Sequence, residues 1–368
     1  MTNPRTEPKG STTQRLWMMA ALLAAAGAGA CAKSHAAPAP APRTPTTGPS
    51  RDANPINPRL LRRFKPIAQT TAPPATNPDM IALGHLLFFE PRLSRGGTIS
   101  CNSCHDLRKF GVDHRATSVG EKGQHGRRNA PTVYNAAEHL AQFWDGRART
   151  IEEQATGPIL NPIEMAATRE GVEAALRGVG EYRERFHKAF PEDAEPVTLV
   201  NVGRAIGAFE RQLTTKSRWD DYLAGQGNAL SEEEIHGLRV FLEVGCMGCH
   251  TGPQVGASMF QVVGFVEPWP NQKDLGRYEI TKIPADRMMF KVPTLKNITQ
   301  TAPYFHDGSG VDLPSAIRTM GRHQLGLELS DVEVSAIVAF FGALEGRLPS
   351  TYIVPPRLPG AGESKKKG

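Results

Sequence analysis

The pentapeptide Cys246-Met247-Gly248-Cys249-His250 and its twin Cys101-Asn102-Ser103-Cys104-His105 constrain this chain more than any other feature. A C-x-x-C-H run is an attachment sequence for a c-type haem: two thiols form thioethers to the porphyrin vinyl groups, and the adjacent imidazole takes one axial position on the iron. The competing readings are a chance match or a zinc or dithiol C-x-x-C. With five Cys and eleven His in 368 residues, two complete matches favour haem. Two covalent haems are therefore expected, one held by Cys101, Cys104 and His105 and the other by Cys246, Cys249 and His250.

Four of the five cysteines are thereby used, which leaves none for a structural disulfide. The fifth, Cys31, ends an apolar run. Residues 1–30 carry Arg5, Lys9 and Arg15, then an apolar stretch, then Ala28-Gly29-Ala30, and read as an export signal. The run is short for a membrane span. Small residues before a Cys also resemble a lipobox, which makes Cys31 a candidate lipid anchor; cleavage near Ala30 or Ala37 is the other reading. Both place the protein in the periplasm, in one case anchored to the membrane as a lipoprotein. Residues 31–58 are rich in Ala, Pro and Thr and read as a disordered tether. About 300 residues follow, enough for two domains of ordinary size. The two motifs lie far enough apart for one per domain: 59–213 and 214–347, followed by a C-terminal segment, 348–368. The net charge of +6 includes Lys365, Lys366 and Lys367 in a glycine-rich tail, which reads as solvated rather than as a nucleic-acid site.

Asn77-Pro78 supplies an N-cap and a first-turn proline. Leu83, Leu86 and Leu87 then share one face before Pro91 ends the helix. Residues 106–131 are charged and glycine-rich, and form a loop that passes close to the haem preceding it. Thr150 with Glu153 makes a capping box, and Leu199, Val202, Ile206, Phe209 and Leu213 have helical spacing. Ser231 with Glu234 and Ser330 with Glu333 repeat the capping signature ahead of further apolar stripes. Residues 251–310 carry few helical signals and are expected to wrap the second haem. A short helix from Asp312 places Ile317 and Met320 on one face. No strand pattern emerges.

Further runs then carry a resemblance: Arg128-Asn129-Ala130-Pro131-Thr132, Gln142-Phe143-Trp144-Asp145-Gly146-Arg147-Ala148, Glu153-Gln154-Ala155, Glu164-Met165, Lys291-Val292-Pro293-Thr294-Leu295-Lys296-Asn297-Ile298, Pro303-Tyr304-Phe305-His306-Asp307-Gly308 and Thr319-Met320-Gly321-Arg322. In order and spacing these resemble the bacterial dihaem cytochrome c peroxidase family over nearly all of the folded part. The resemblance implies a mainly α fold of two cytochrome-c-like helical domains, each with one haem, with the C-terminal segment packed on the first domain. The activity implied is reduction of hydrogen peroxide to water by electrons from a small periplasmic donor, a cytochrome c or a cupredoxin. Dimerisation is a family expectation.

The resemblance also implies roles. Met320, which alone reads as a core methionine, becomes the sixth ligand of the second haem, where a thioether favours ferrous iron and raises the potential. Iron is then held by His105 at the first centre and by His250 and Met320 at the second. Glu164 is the distal acid–base residue and Gln154 its polar neighbour; their bland readings are a solvated Glu and a helix-surface Gln. Trp144 lies between the haems, and His306 lies beside the second. Asn129 with the carbonyls of Thr301 and Pro303 forms an interdomain calcium site, an oxygen-only set suited to Ca²⁺. One position departs from the pattern. Many members carry a His after the Thr-Ser-x-Gly run that blocks the peroxide iron until the other haem is reduced, but here Thr117-Ser118-Val119-Gly120 is followed by Glu121. The expectation is a first haem open in the oxidised state, with His125 swinging in as the alternative. Two other functions compete: a non-catalytic electron-transfer cytochrome, and a related dihaem enzyme that matures a tryptophan-derived quinone in a partner protein. The latter places a Tyr where Met320 stands.

Overall fold

The computed structural model describes residues 56–67 and 77–360. The expected export signal, most of the tether and the Lys-rich tail lie outside the described residues. Among those described the fold is mainly α. Helices run in the order α1 (Pro58–Leu61), α2 (Pro78–Phe88), α3 (Cys101–Cys104), α4 (Ile151–Leu160), α5 (Arg169–Arg177), α6 (Gly180–Ala189), α7 (Leu199–Glu210), α8 (Arg218–Leu223), α9 (Glu232–Glu243), α10 (Tyr278–Thr281), α11 (Leu313–Met320) and α12 (Asp331–Ala343). Two three-residue strands, β1 (Phe260–Val262) and β2 (Met289–Lys291), pair antiparallel with Phe260 opposite Lys291. Neither was expected from the residue pattern, because three residues are too few to display alternation.

The helix starts follow their capping chemistry. Asn77 Oδ1 accepts the Asp79 N–H at 2.9 Å, with Pro78 at the first helical position. Ser231 and Glu234 form a complete capping box at α9, and Ser330 and Glu333 form another at α12. At α4 the box is half made. Thr150 Oγ1 accepts the Glu153 N–H at 3.2 Å, but the Glu153 carboxylate reaches past Thr150 to the Arg149 N–H at 2.9 Å.

Buried apolar side chains gather into two clusters. The first, which we call the first lobe, includes Leu83, Leu87, Phe88, Phe186, Val202, Ile206 and Phe209. The second lobe includes Trp219, Leu238, Phe241, Ile337, Phe340 and Phe341. Phe64 belongs to the second cluster although it precedes the first motif, its ring edge-on to Trp219 at 5.4 Å. Leu348, Tyr352, Ile353 and Leu358 of the C-terminal segment pack against the first cluster.

Both lobes use the same helix crossing. In the first, Gly84 of α2 lies so close to α7 that a Cβ would sit 1.9 Å from the Ala205 carbonyl oxygen and 2.8 Å from Phe209 Cβ. In the second, Gly237 of α9 faces α12, where a Cβ would meet the Ala336 carbonyl oxygen at 1.9 Å and Phe340 Cβ at 3.0 Å. Glycine is thus required by close approach rather than by backbone conformation, and each crossing sets the helix that leads toward its motif.

A buried polar thread joins the lobes. Asn135 Nδ2 and Asn297 Nδ2 both donate to Thr215 Oγ1, at 2.8 and 2.9 Å, while Asn297 Oδ1 accepts the Gly346 N–H at 2.8 Å. Beside it the fully buried Lys296 ammonium donates to Asp220 Oδ2 and Ser217 Oγ, each at 2.6 Å. Every member is satisfied, which is what makes such a buried network tolerable.

Candidate haem centres

The two motifs present their histidines alike. At the first, α3 is a single turn with Ser103 Oγ accepting the Ser100 N–H at 3.0 Å, and His105 follows at its C-terminus. His105 Nδ1 lies 3.2 Å from the Gly111 carbonyl oxygen, and His250 Nδ1 lies 3.2 Å from that of Val255. A backbone acceptor on Nδ1 fixes the hydrogen there and leaves the Nε2 lone pair as the metal ligand. Burial lowers both imidazole pKa values, His250 to about 4, so both rings are neutral and fit for ligation at pH 7. Burial also pushes the Cys101 and Cys104 thiols up, and Cys246 to about 12. Zinc binding uses the thiolate, so burial of these thiols disfavours it. Among the described residues no group of three or more His, Cys, Asp and Glu could hold a metal ion by itself.

At the second motif, a Gly245 φ of +100° turns the chain out of α9 into Cys246. A cavity of about 1540 Å³, part of it open to solvent, is lined by Cys246, Cys249, His250, Ile317, Met320 and Phe341 among others. Met320 ends α11, and the next five residues form a π-helical turn, Gly321–Leu325, a feature frequent at functional sites. Gln324 anchors that turn by accepting the Gly264 N–H at 3.0 Å and donating to the Val262 carbonyl at 2.7 Å. His306 also lines the cavity. Its ring stacks on Phe290 at 4.1 Å, and its Nε2 is buried with no hydrogen-bond partner. The apolar lining, the neutral His250, the thioether of Met320 and this orphaned nitrogen all fit a haem.

Around the first motif the surroundings differ. Cys104 has the Ser118 hydroxyl facing it, with Glu164 and Asp113 as negative neighbours. The Glu164 carboxylate accepts from Asn161 Nδ2 at 2.8 Å. Burial raises its pKa, opposed by the nearby Arg147 guanidinium and the Asn161 hydrogen bond. Arg147 lies over the Phe143 ring at 3.4 Å and bonds Asp145 at 3.1 Å. Gln154 is half-buried on α4, one turn before Gly157, which packs against Phe143. No hydrogen bond joins Gln154 to Glu164. The loop after the motif is docked on the Glu164 segment: the Glu121 N–H donates to the Glu164 carbonyl at 2.7 Å, and a Cβ on Gly120 would collide with the Ile163 oxygen at 2.0 Å. The Glu121 carboxylate accepts the Gly96 N–H at 3.3 Å, and His125 is exposed, its Nδ1 3.3 Å from Thr117 Oγ1.

Trp144 Nε1 donates to the Asn129 carbonyl at 2.9 Å, its own carbonyl accepts the Lys291 N–H at 2.7 Å, and its ring stands edge-on to His306 at 6.5 Å. Asn129 donates its N–H to the His306 carbonyl at 2.8 Å and its Nδ2 to the Arg115 carbonyl at 2.9 Å, leaving Oδ1 without a donor among the described residues. Asn129, Thr301 and Pro303 all line the cavity of the second motif, as does Trp144. The sequence reading brought Glu164 forward but missed Asn161 and Arg147 as its partners. Arg147 stood in a quoted run, yet nothing local tells a surface arginine from one turned toward a buried carboxylate.

The sequence pattern of the family described as di-haem cytochrome c peroxidase matches residues 78–228. A cytochrome c551 peroxidase of Nitrosomonas europaea is 48% identical over 301 residues, covering 81% of this chain and 90% of that protein. The cytochrome c551 peroxidase of Pseudomonas aeruginosa is 40% identical, covering 86% and 93%. Among solved structures, a MauG-like protein associated with microbial copper homeostasis superposes with a TM-score of 0.66 at 30% identity, covering 77% of this chain and 94% of that one. The chain therefore belongs to the di-haem cytochrome c peroxidase family, oxidoreductases of the peroxidase class that carry two haems.

Proposed function

We propose that this protein reduces hydrogen peroxide to water, taking electrons from a small donor at the His250–Met320 centre and using them at the His105 centre. The reaction consumes two electrons and two protons for each peroxide and yields two waters. The observation that carries the reading is the difference between the centres: a thioether, Met320, shares the cavity of His250, whereas a half-buried carboxylate, Glu164, faces the motif of His105. Bound haem iron supplies the coordination position for peroxide and the one-electron steps. Glu164, its pKa raised by burial, takes the proton from one peroxide oxygen and returns it to the other, the leaving water. Asn161 holds one carboxylate oxygen so that the other is presented to substrate, and Gln154 supplies a further polar contact. Trp144, fixed at both its ring nitrogen and its carbonyl, is the aromatic through which electrons pass.

Further assignments belong to the same reading. Asn129 Oδ1 with the Thr301 and Pro303 carbonyls would hold Ca²⁺, an ion suited to an oxygen-only set, and would so join the 129 loop to the second lobe. The protein acts in the periplasm, free or anchored through a lipid on Cys31, with a cytochrome c or cupredoxin as donor. Among the described residues no helix is long and apolar enough to cross a membrane. Met320, where the quinone-maturing relatives have Tyr, favours peroxide reduction over that activity. The docked loop with Glu121 leaves the first centre open before any electron arrives. The test is steady-state peroxide turnover with Glu164→Gln beside the parent: a large loss of turnover with unchanged haem spectra supports the reading, and undiminished turnover contradicts it.

A further inference from the structure

Lys291 is the last residue of β2, and its backbone N–H is bonded to Trp144, so its side chain begins beside the aromatic between the two centres. It is 6% exposed and lines the cavity of His250 and Met320. From there the ammonium reaches into the first lobe, where Nζ donates to the Ala141 carbonyl at 2.7 Å and lies 3.2 Å from His139 Nδ1. Both partners are neutral groups. The carboxylate that acts on it is Asp145, from a distance, and Asp145 is already paired with Arg128 at 2.5 Å and Arg147 at 3.1 Å. No salt bridge to Lys291 itself occurs among the described residues.

A buried ammonium without a counter-ion is costly, and the usual relief is loss of its proton. Burial lowers the Lys291 pKa to about 7. His139 is not the group that changes charge, since burial and the adjacent ammonium hold its pKa well below the ordinary value. With Nδ1 accepting from Nζ, the ring hydrogen sits on Nε2, which is buried and has no partner. The charged and titratable groups facing the pair are thus His139 from the first lobe and Asp145 with its two arginines. Its charge state changes from zero to plus one at Nζ alone.

We propose that Lys291, held by His139 and Ala141 at the junction of the lobes, is a proton-linked charge that sets the reduction potential of the His250 centre. A cation in a water-poor interface stabilises the reduced iron, whose site carries one positive charge fewer. The balance is one for one at most: an electron from the reduced donor enters the iron, and a proton from bulk solvent adds to the Nζ amine, with no other bond made or broken. Electron entry is then favoured where Lys291 is charged and weakens as pH rises through its pKa.

This inference rests on the reading of the His250 centre as the point of electron entry, and its test has a separate readout. Midpoint potentials of the holoprotein are measured by mediated spectroelectrochemistry over a pH series spanning two units either side of 7. The expected result is a second-centre potential that falls with rising pH and then levels. Lys291→Met gives a lower potential without that slope, and Lys291→Arg keeps the higher potential and also loses the slope. His139→Leu removes one acceptor and moves the sloping region to lower pH, a check that survives if Lys291→Met fails to fold. A pH-independent potential in the parent, an unchanged slope in Lys291→Met, or a sloping region that does not move in His139→Leu overturns the inference. A flat potential with intact peroxide turnover overturns it alone; a proton-linked potential without turnover upholds it and overturns the peroxidase assignment of the two centres.

Discussion

The Glu121 N–H and the Glu164 carbonyl oxygen are 2.7 Å apart, so the loop that follows the first haem motif is pinned by the segment bearing the proposed acid–base carboxylate. The collision that any side chain at Gly120 would suffer with the Ile163 carbonyl adds a steric lock to the hydrogen bond. Position and chemistry agree here, because Glu121 carries no imidazole and its carboxylate is turned to the Gly96 N–H.

Replacing Glu121 by His should therefore supply the absent ligand. Glu121→His is expected to convert the oxidised first haem to a six-coordinate low-spin form and to introduce a lag that pre-reduction by one electron removes. Electron paramagnetic resonance of the oxidised protein checks this directly. A variant that stays high-spin would mean that the Glu164 contact, rather than the missing ring, keeps the loop docked.

Glu164 gives a pH prediction. As a general base it acts in the ionised form, and burial places its pKa above the ordinary carboxylate range. The rate constant for peroxide should fall as pH drops through that raised value. Glu164→Gln should lose this acidic limb together with roughly 10²–10⁴-fold in rate. A variant that keeps the limb would locate the titrating group elsewhere.

Glu210 gives a stability prediction with the sign worked through. It is 4% exposed at the end of α7, and burial pushes its pKa to about 8, with Glu152 adding to the rise and Arg211 opposing it. Its folded pKa exceeds the unfolded value of about 4.3. The folded state therefore binds more protons between the two, and the contribution to stability is full below pH 4 and lost as pH rises through about 8. Glu210→Gln should match the parent in acid and exceed it at pH 9 by up to a few kcal/mol, at ~1.4 kcal/mol per unit. Denaturant titrations at the two pH values measure this.

The helix crossings give a matched pair. Gly84→Ala and Gly237→Ala each force a Cβ onto a carbonyl oxygen, at Ala205 and Ala336, so the helices must separate. Each should cost about 1–3 kcal/mol, the usual penalty of overpacking. A loss confined to one variant would show that the crossings are not equivalent, and thermal unfolding of the holoprotein decides it.

How far the chain could be read in advance follows from these same residues. The Asn77-Pro78 start and the boxes Ser231–Glu234 and Ser330–Glu333 are local chemistry, and the structure forms them as expected. Gly84 and Gly237 carry no such signal, since a glycine within a helix reads as a propensity penalty until the opposing helix is known. The Glu153 side chain chose Arg149 over Thr150, a choice between two nearby N–H donors that spacing does not distinguish. Glu164 was legible only through the family resemblance. Its partners Asn161 and Arg147, and the meeting of Lys291 with His139 across the lobes, depend on tertiary placement. Local motifs and the resemblance point to the candidate residues; the groups that surround them come from distant parts of the chain.

The most direct measurement is peroxide turnover with a reduced cytochrome c donor in the presence of calcium, comparing protein kept fully oxidised before mixing with protein pre-reduced by one electron. Equal rates without a lag are expected, because Glu121 carries no imidazole and its carboxylate is turned to the Gly96 N–H. Turnover only after pre-reduction would contradict the open centre, and no turnover in either sample would contradict the peroxidase assignment itself.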